Sequence, residues 1–433
     1  MKVLRICALC ILATVLSSAQ EQRVVGDITK GPADKRIPVA VPTFVTAPGS
    51  ESMGVEMAQV LSDDLDFTGL VRVLTRPEFP PGFAGFTSDA TQINFDQWRT
   101  TSAEFLVHVY VTTAGGQIAA ECRLFDVASG QQVVGKRLAA QESWWRLVSH
   151  QFADEIVRYL DGEPGIASTQ VCFSGGQTGK KEIFVSDYDG ANETQLTKHG
   201  SISILPAFSP DGSKIAYVSY KDRYQFLYVY DLASGVSTAV SKEVGMNSAP
   251  AWSPDGKRIA MVLSKDANSE IYVMNADGSN KQRLTNDPAV DSSPTFSPDG
   301  RQIAFVSERG GNPQIYVMDA TGGSARRVSL QGGKSYDPSW SPDGQSIAYV
   351  VEKGGEGFEI YVMGADGSNP TQLTSSGGSN ESPSWSRDSR HVIFSSTRGG
   401  SAELWTVTVA TGENRKVPRL SARGQGPDWG PRR

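Results

Sequence analysis

The feature of this chain that most constrains its fold is a repeat of 44 or 45 residues in its second half. Six short segments share a proline followed two positions later by phenylalanine or tryptophan, and they begin at Pro206, Pro250, Pro294, Pro338, Pro383 and Pro427. A fixed period of this length is typical of β-propellers and of solenoids, in which each repeat is one supersecondary unit. The anatomy of the unit decides between them.

Each repeat contains four short strands. In four of the repeats the first strand runs directly into Ser-Pro-Asp-Gly, and in the fifth it runs into Ser386-Arg-Asp-Ser389. Proline presets the first turn position and glycine accepts the left-handed one, so this motif predicts a tight hairpin turn. A second strand (Ile215 to Val218 in one repeat), a third (Ile271 to Val273) and a fourth ending in Leu-Thr follow. Four strands without a helical period are typical of a propeller blade.

The repeat therefore predicts a mainly β fold with a C-terminal six-bladed propeller. The third-strand motif occurs six times, first at Ile183 and last at Leu404. The first repeat has a second strand at 170–174 with no Pro-x-Trp strand before it, while the last such strand, Pro427–Gly430, has no second strand after it. We expect the C-terminal strand to become the innermost strand of the first blade, a strand-exchange closure that removes open sheet edges.

The first half of the chain has a different pattern, in which helices alternate with strands. Two apolar stripes have helical spacing and favour core packing over a cofactor site; they comprise Met53, Met57, Val60, Leu61 and Leu65, and then Val148, Phe152, Ile156 and Tyr159. We therefore predict a small α/β domain. The expected boundaries are a signal peptide at 1–19, the α/β domain at 20–165 and the propeller at 166–433, with a hinge at 162–165.

Residues 1–19 have the order of a secretory signal. Lys2 and Arg5 precede an apolar run of 11 residues from Ile6 to Leu16, and small residues end at Ala19. A membrane helix needs roughly 20 residues, and no other stretch approaches a membrane span. We expect export to the periplasm with cleavage near Ala19; a buried N-terminal helix is the alternative. For the remaining Cys122 and Cys172, buried free thiols are favoured over a disulfide.

Charge and residue spacing argue against several functions. The net charge is −6 and no basic run occurs beyond the first residues, which argues against nucleic-acid binding. The four histidines show no zinc-binding spacing. Asp-rich turns such as Asp187–Gly190 lack the further carboxylates of a calcium loop and are interpreted as ordinary turns. We expect no catalytic residue, no metal and no cofactor.

An exported α/β domain followed by six Ser-Pro-Asp-Gly blades resembles the TolB family, the periplasmic component of the Tol–Pal system of Gram-negative bacteria. Other propellers, including those of prolyl oligopeptidases, share the blade motif, but the domain order, the signal and the blade number are more specific. Asn94–Trp98, followed by the strand that begins at Phe105, also resembles the family's first domain. The resemblance implies a non-enzymatic scaffold that links the inner-membrane Tol complex to the lipoprotein Pal, maintains outer-membrane integrity and acts in cell division.

Two partner surfaces follow from the resemblance. Pal would bind one mouth of the propeller, around the loops that join successive blades and opposite the Ser-Pro-Asp-Gly turns. A mixed polar rim suits a protein interface, although ordinary solvated loops are the alternative. The predicted residues are Met246, Asn247, Ser248, Ala249, Asp291, Ser292, Ser293, Tyr336, Asp337, Asn380 and Glu381.

TolA of the inner-membrane complex would bind the mature N-terminus. The segment is short and partly β-prone, so it could add as a strand to a partner's sheet. A frayed terminus or a strand docked on its own domain are the alternatives, and Gly26 interrupts the β-prone run. The predicted residues are Gln22, Arg23, Val24, Val25, Asp27 and Ile28. Other outer-membrane proteins are possible further partners.

Two other classes of function remain open. An exported propeller enzyme is one: a peptidase would need a hydrolase domain with a Gly-x-Ser-x-Gly elbow, which this sequence lacks. A glycosidase would instead need paired carboxylates in the channel, a geometry that sequence does not exclude. A small-ligand sensor on the same scaffold is the other.

Overall fold

The computed structural model describes residues 36–433 apart from Thr178, 331–332, Glu356, Ser376 and Ala422. The predicted signal at 1–19 and the predicted TolA-binding segment at 22–28 therefore lie outside the described residues. Within the described residues, no helix combines the length and the apolar content that crossing a membrane requires.

The first region is a sheet covered on one side by two long helices. The sheet order is β3-β1-β4-β5-β6, with β2 beside β4; β1 runs parallel to β3 and β4, and β4 to β6 form antiparallel hairpins. Its elements are β1 (Ile37–Ala40), β2 (Val45–Thr46), α1 (Glu51–Phe67), β3 (Val71–Val73), α2 (Phe95–Trp98), β4 (Phe105–Ala114), β5 (Gln117–Asp126), β6 (Gln132–Gln141) and α3 (Trp145–Asp161).

The predicted helical stripes form the core of this region. Met57, Leu61 and Leu65 of α1 and Phe152 and Ile156 of α3 are buried, because side chains three or four positions apart share one helical face. Tyr159 was expected in the same stripe but is 47% exposed. Its ring lies at the edge of the layer, edge-to-face against Phe105.

Six four-stranded blades follow, and each is antiparallel. We number the blades by their second strands and give the strands of each from the centre outward. Blade 1 is Gln425–Arg432, Thr169–Gln177, Lys180–Asp187 and Thr194–Gln195; blade 2 is Ser203–Phe208, Lys214–Ser219, Phe226–Asp231 and Val236–Ser241; blade 3 is Asn247–Trp252, Arg258–Asp266, Asn268–Asn275 and Gln282–Arg283. Blade 4 is Asp291–Phe296, Gln302–Ser307, Gln314–Asp319 and Arg326–Arg327; blade 5 is Ser335–Trp340, Ser346–Glu352, Phe358–Gly364 and Thr371–Gln372; blade 6 is Asn380–Trp385, His391–Ser396, Glu403–Thr408 and Asn414–Lys416.

The predicted strand-exchange closure is confirmed. The C-terminal strand Gln425–Arg432 pairs antiparallel with Thr169–Gln177, and Trp429 stands opposite Val171. The innermost strand of blade 1 therefore comes from the opposite end of the propeller sequence. Because this strand also contacts the inner strands of blades 2 and 6, the ring is closed by hydrogen bonds as well as by packing.

The Ser-Pro-Asp-Gly motif forms its turn through hydrogen bonds within the motif. In blade 4 the Ser297 hydroxyl donates to Asp299 Oδ1 at 2.6 Å, and the same carboxylate accepts the Arg301 N–H. Gly300 takes φ +71°, which glycine adopts without strain. These contacts span only a few residues, so the motif predicts its own turn wherever it occurs.

The α/β region and the propeller share one apolar core at their junction. The buried cluster that contains α1 and α3 continues into blades 1 and 6 through Phe173, Tyr188, Ile393 and Leu404. Residues 36–433 consequently form one compact unit. Cys122 and Cys172 are separate buried thiols, and burial raises the pKa of Cys122 to about 12.

Candidate functional site: the mouth of the propeller

The mouth is the face at which every innermost strand begins. The loops that join successive blades open there, as do the loops between second and third strands, while the Ser-Pro-Asp-Gly turns lie at the opposite end of the inner strands. This is the geometry that the sequence predicted for the two faces. It places Met246, Tyr336 and Glu381 at or beside the start of an inner strand.

A ring of residues with positive φ, strained at all but the one glycine, surrounds the channel below the mouth. The residue before the repeated proline has a positive φ, between 44° and 56°, in all six inner strands; these residues are Leu205, Ala249, Ser293, Asp337, Ser382 and Gly426. The pairing register of each inner strand shifts at this point. Such bulges bend a strand and re-aim its side chains, and all six residues line a central channel of about 430 Å³.

Charged side chains differ between the two ends of the channel. Asp337 accepts a hydrogen bond from the Ser293 hydroxyl at 3.1 Å, and burial raises its pKa. Burial also raises the pKa of Glu381, with a further contribution from the charge of Asp337. At the turn end, Arg387 occupies the position that proline has in the other Ser-Pro-Asp-Gly motifs and donates to the Gly430 carbonyl at 3.4 Å.

Three predicted contact residues are fully buried and hold the mouth loops from beneath. The Asn247 amide donates to the Glu243 carbonyl at 2.8 Å, Asp291 pairs with Arg309 at 2.9 Å, and Asn380 donates to Glu359 at 2.9 Å. Ser248 is also buried. The first residue of an inner strand faces the loop and the blade and is screened from solvent, so these side chains position the mouth and do not form its surface.

The other predicted residues are at least partly accessible. Met246 is 41% exposed, and Ala249, Ser292, Ser293, Asp337 and Glu381 are half-buried. The Tyr336 hydroxyl donates to Glu352 at 3.1 Å, which fixes its ring at the side of the mouth.

An arc of exposed apolar side chains lies at the mouth, and of its members only Met246 was predicted from the sequence. Of the eleven large apolar residues that are exposed in the described part of the chain, six lie in loops on this face, over blades 2 to 5, and a seventh, Leu205, lines the channel just below it. They are Leu205, Tyr220, Tyr224, Val244, Met246, Val290 and Leu330. Most of them lie in loops that share no sequence motif. The sequence could have identified them only as apolar residues in the segments between the repeated strands on this face.

A second charged cluster lies at the junction between the helices and blade 1. His150, Asp187 and Asp189 have ligand-type atoms within 4.8 Å of one another. However, Arg146 and Arg433 donate to these two carboxylates at 2.5 and 2.6 Å, and Arg419 pairs with Asp189. Because guanidinium groups already neutralise the carboxylates, the cluster is an ion network that disfavours a metal cation.

This architecture defines a class: a six-bladed β-propeller protein with an α/β region before its first blade and an apolar mouth. A family model described as the TolB beta propeller domain matches residues 157–433, and one described as the TolB amino-terminal domain matches residues 27–133. The chain belongs to the TolB family.

Relatives and solved structures agree with this assignment. "Tol-Pal system protein TolB" of Desulfosudis oleivorans is 36% identical over 226 residues, which is 51% of this chain and 50% of that protein. The protein of the same name from Methylobacillus flagellatus is 39% identical over 210 residues, 47% of each chain. This chain spans about half the length of the curated relatives it matches. The crystal structure of TolB from Acinetobacter baumannii superposes with a TM-score of 0.80 at 25% identity and covers 92% of this chain and 98% of that one.

Proposed function

We propose that this chain is a periplasmic interaction scaffold of the Tol–Pal system, linking the inner-membrane Tol complex to Pal. In this role it maintains outer-membrane integrity and acts in cell division. Its membership of the TolB family supports the proposal, and its relatives are named as components of that system. The role is one of binding, without a reaction of its own.

The observation that carries the proposal is the apolar arc at the mouth. Scattered exposed apolar residues are ordinary, but a concentration on one face, rimmed by polar side chains, is typical of a protein-binding site. Tyr224 is 69% exposed and Val244 is 86% exposed, on neighbouring loops of that face. Exposed aromatic side chains such as Tyr224 are among those that contribute most to the free energy of binding when a partner covers them, and the apolar residues around them exclude water.

Pal is the partner that we assign to this surface. The apolar arc would supply the contact area, while Ser292, Ser293, Tyr336, Asp337 and Glu381 would supply polar contacts at the rim and channel opening. Asn247, Asp291 and Asn380 would act indirectly, because their hydrogen bonds hold the loops that carry the arc. TolA is assigned to the N-terminal segment around 22–28, on the family resemblance.

A pair of matched substitutions tests the mouth. Val244→Asp places a charge in the arc, and Val236→Asp does the same at a valine that is 56% exposed near the turns between third and fourth strands. Burying an unpaired carboxylate is unfavourable, so we expect Val244→Asp to weaken binding to soluble Pal by about tenfold or more, equivalent to about 1.4 kcal/mol. Val236→Asp should leave the Kd unchanged in the same calorimetric titration.

Two results would contradict the assignment. One is equal weakening by both substitutions; the other is unchanged Pal binding when Val244→Asp is combined with Tyr224→Ser. A chain without residues 20–28 provides an independent arm, since it should lose TolA binding and keep Pal binding.

A further inference from the structure

His150 connects the helical layer to the propeller. It lies on α3, fully buried, with Nδ1 at 2.7 Å from Asp64 Oδ2 on α1. Its Nε2 is directed to the other side of the junction, 3.9 Å from Asp187 Oδ2 at the end of the third strand of blade 1. Within the described residues, Nε2 has no hydrogen-bond partner. One imidazole thus stands between a carboxylate of each region.

The groups around His150 come from the two long helices, from blade 1 and from the segments before and after the closing strand. On α1, Asp64 also accepts the Tyr188 hydroxyl at 2.8 Å. On blade 1, Asp187 accepts Arg433 at 2.6 Å and the Asn192 amide at 2.6 Å, and Asp189 accepts Arg146 at 2.5 Å and pairs with Arg419. On α3 itself, Arg146 and Asp154 lie one turn before and after the histidine.

The donor and acceptor geometry favours a proton on His150. Asp64, Asp187 and Asp189 supply three negative charges, and Arg146, Arg419 and Arg433 supply three positive ones. With a neutral imidazole that donates from Nδ1 to Asp64, Nε2 would direct a lone pair toward the Asp187 carboxylate. With a protonated imidazole, both nitrogens are donors and each faces an acceptor.

We propose that His150 is a proton-operated latch, which in its protonated form bridges Asp64 of the helical layer to Asp187 of blade 1 and on deprotonation loosens this junction. The latch is separate from the partner-binding role proposed for the mouth, so either proposal can fail without the other.

The direction of the pH effect follows from the surroundings of His150. Burial alone lowers its pKa, but the carboxylates of Asp64, Asp189 and Asp187 outweigh burial, and the pKa lies above the ordinary 6.5. A histidine whose pKa is higher in the folded state stabilises that state fully below its unfolded pKa. This contribution is lost as the pH rises from about 6.5 through the folded pKa.

A second buried group acts in the same direction at lower pH. Asp154 accepts the N–H groups of Ala167 and Ser168, in the segment that leads from α3 into blade 1, at 2.7 and 3.1 Å. Burial raises its pKa from 3.8 to about 6, so the folded state binds this proton more tightly than the unfolded state does. Stability from this group falls between about pH 4 and 6. Burial also raises the pKa of the Cys122 and Cys172 thiols, which lower stability only as the pH nears their unfolded value of about 8.5. Between about pH 6.5 and 8 the change should therefore belong to His150.

The test compares the full chain with His150→Asn, whose amide can still donate to Asp64 but does not titrate. The control is His199→Gln, at a half-buried histidine of the loop between blades 1 and 2. Chemical unfolding is measured from pH 6 to 8, below the range in which the two buried thiols contribute, together with hydrogen exchange of the 162–168 segment corrected for its intrinsic pH dependence. In the wild type and in His199→Gln, the unfolding constant should rise by up to tenfold per pH unit between pH 6.5 and 8, and exchange should accelerate with it. In His150→Asn this part of the slope should disappear.

Direct titration keeps the proposal testable if His150→Asn fails to fold. The imidazole carbon resonances of the wild type then report the pKa of His150, which should lie above 6.5 and coincide with the change in exchange of the 162–168 segment. Any of three results would overturn the proposal: a His150 pKa below 6.5, an exchange rate of the 162–168 segment that does not change as His150 titrates, or equal dependence of stability on pH in wild type and His150→Asn. So would a stability change on adding zinc or EDTA that requires His150, because it would identify a metal site.

Discussion

A single glycine in the turn between third and fourth strands limits how closely neighbouring blades approach. Gly278 of blade 3 has φ +88°, and a Cβ built on it would collide with the Val240 carbonyl oxygen of blade 2. Gly367 of blade 5 meets the Val328 carbonyl of blade 4 in the same way. The glycine is thus required both by its own backbone angle and by the backbone of the preceding blade.

Two glycine substitutions separate these effects. Gly256→Ala, at φ +68° with its nearest neighbour 3.8 Å from the new Cβ, should destabilise the fold by about 1–2 kcal/mol through backbone strain alone. Gly278→Ala adds a collision with backbone and should cost roughly 3 kcal/mol or more. Denaturant unfolding measures both. Equal losses would show that the approach of the blades is not limited at this position.

At the scale of the element, the fourth strands are too short to be held by their ladder alone. Several have only two residues, and a hydroxyl just beyond the strand holds them to the third strand. In blade 3 Thr285 accepts the Ile271 N–H at 2.9 Å and donates to the buried Glu270 at 2.6 Å. Blades 1, 4 and 5 repeat this arrangement through Thr197, Ser329 and Thr374. The hydroxyl of the Leu-Thr ending that was noted in the sequence therefore fixes the fourth strand to the third strand.

Removing one such hydroxyl should weaken the blade. Thr285→Val keeps the shape but leaves the Ile271 N–H and one Glu270 oxygen without their partner, which should cost about 1–3 kcal/mol. The matched control is Thr371→Val in blade 5, where an exposed hydroxyl donates to the Asn369 carbonyl at 3.2 Å. That change should stay within about 0.5 kcal/mol in thermal unfolding. If Thr285→Val lowers stability no more than Thr371→Val does, the hydroxyl of Thr285 does not stabilise the blade as proposed.

At the scale of the whole molecule, one half-buried aspartate joins three blades where the ring closes. Asp428 lies in the innermost strand of blade 1, accepts the Phe208 N–H of blade 2 at 2.7 Å and accepts the Ser384 hydroxyl of blade 6 at 2.9 Å. The junction with the helical layer lies on the same side, since His150, Arg433 and Asp187 meet there. The residues that close the ring therefore lie near the residues that join the helical layer to the propeller.

Loss of this carboxylate should affect the whole ring. We expect Asp428→Ala to reduce the free energy of unfolding by about 3 kcal/mol, because the Phe208 N–H and the Ser384 hydroxyl lose their acceptor together. Asp299→Ala, in an exposed Ser-Pro-Asp-Gly turn, should cost only about 1 kcal/mol. Urea unfolding followed by tryptophan fluorescence compares them. If Asp428→Ala lowers the midpoint no more than Asp299→Ala, the closure does not depend on Asp428.

The sequence allowed prediction of the features that depend on contacts between residues close along the chain, or on motifs repeated along it. The 44-residue period and the Ser-Pro-Asp-Gly turns led to six blades and their closure, because each turn is completed by its own residues, as between Ser297 and Asp299. The face of the mouth followed from strand order. The export signal, the domain boundaries and the N-terminal segment remain predictions.

Only the tertiary structure decided which residues of the mouth meet solvent and which support it. Asp291 and Asn247 look like any polar loop residue in the sequence, but the start of an inner strand lies under its own loop, and both are buried. Tyr224 and Val244 lie in loops between strands, outside the repeated motifs, and both are exposed. His150 and Asp64 are 86 positions apart, and only packing of the helices against blade 1 places one imidazole between two carboxylates. Burial and charge depend on what surrounds a side chain in space, and local sequence does not specify those surroundings.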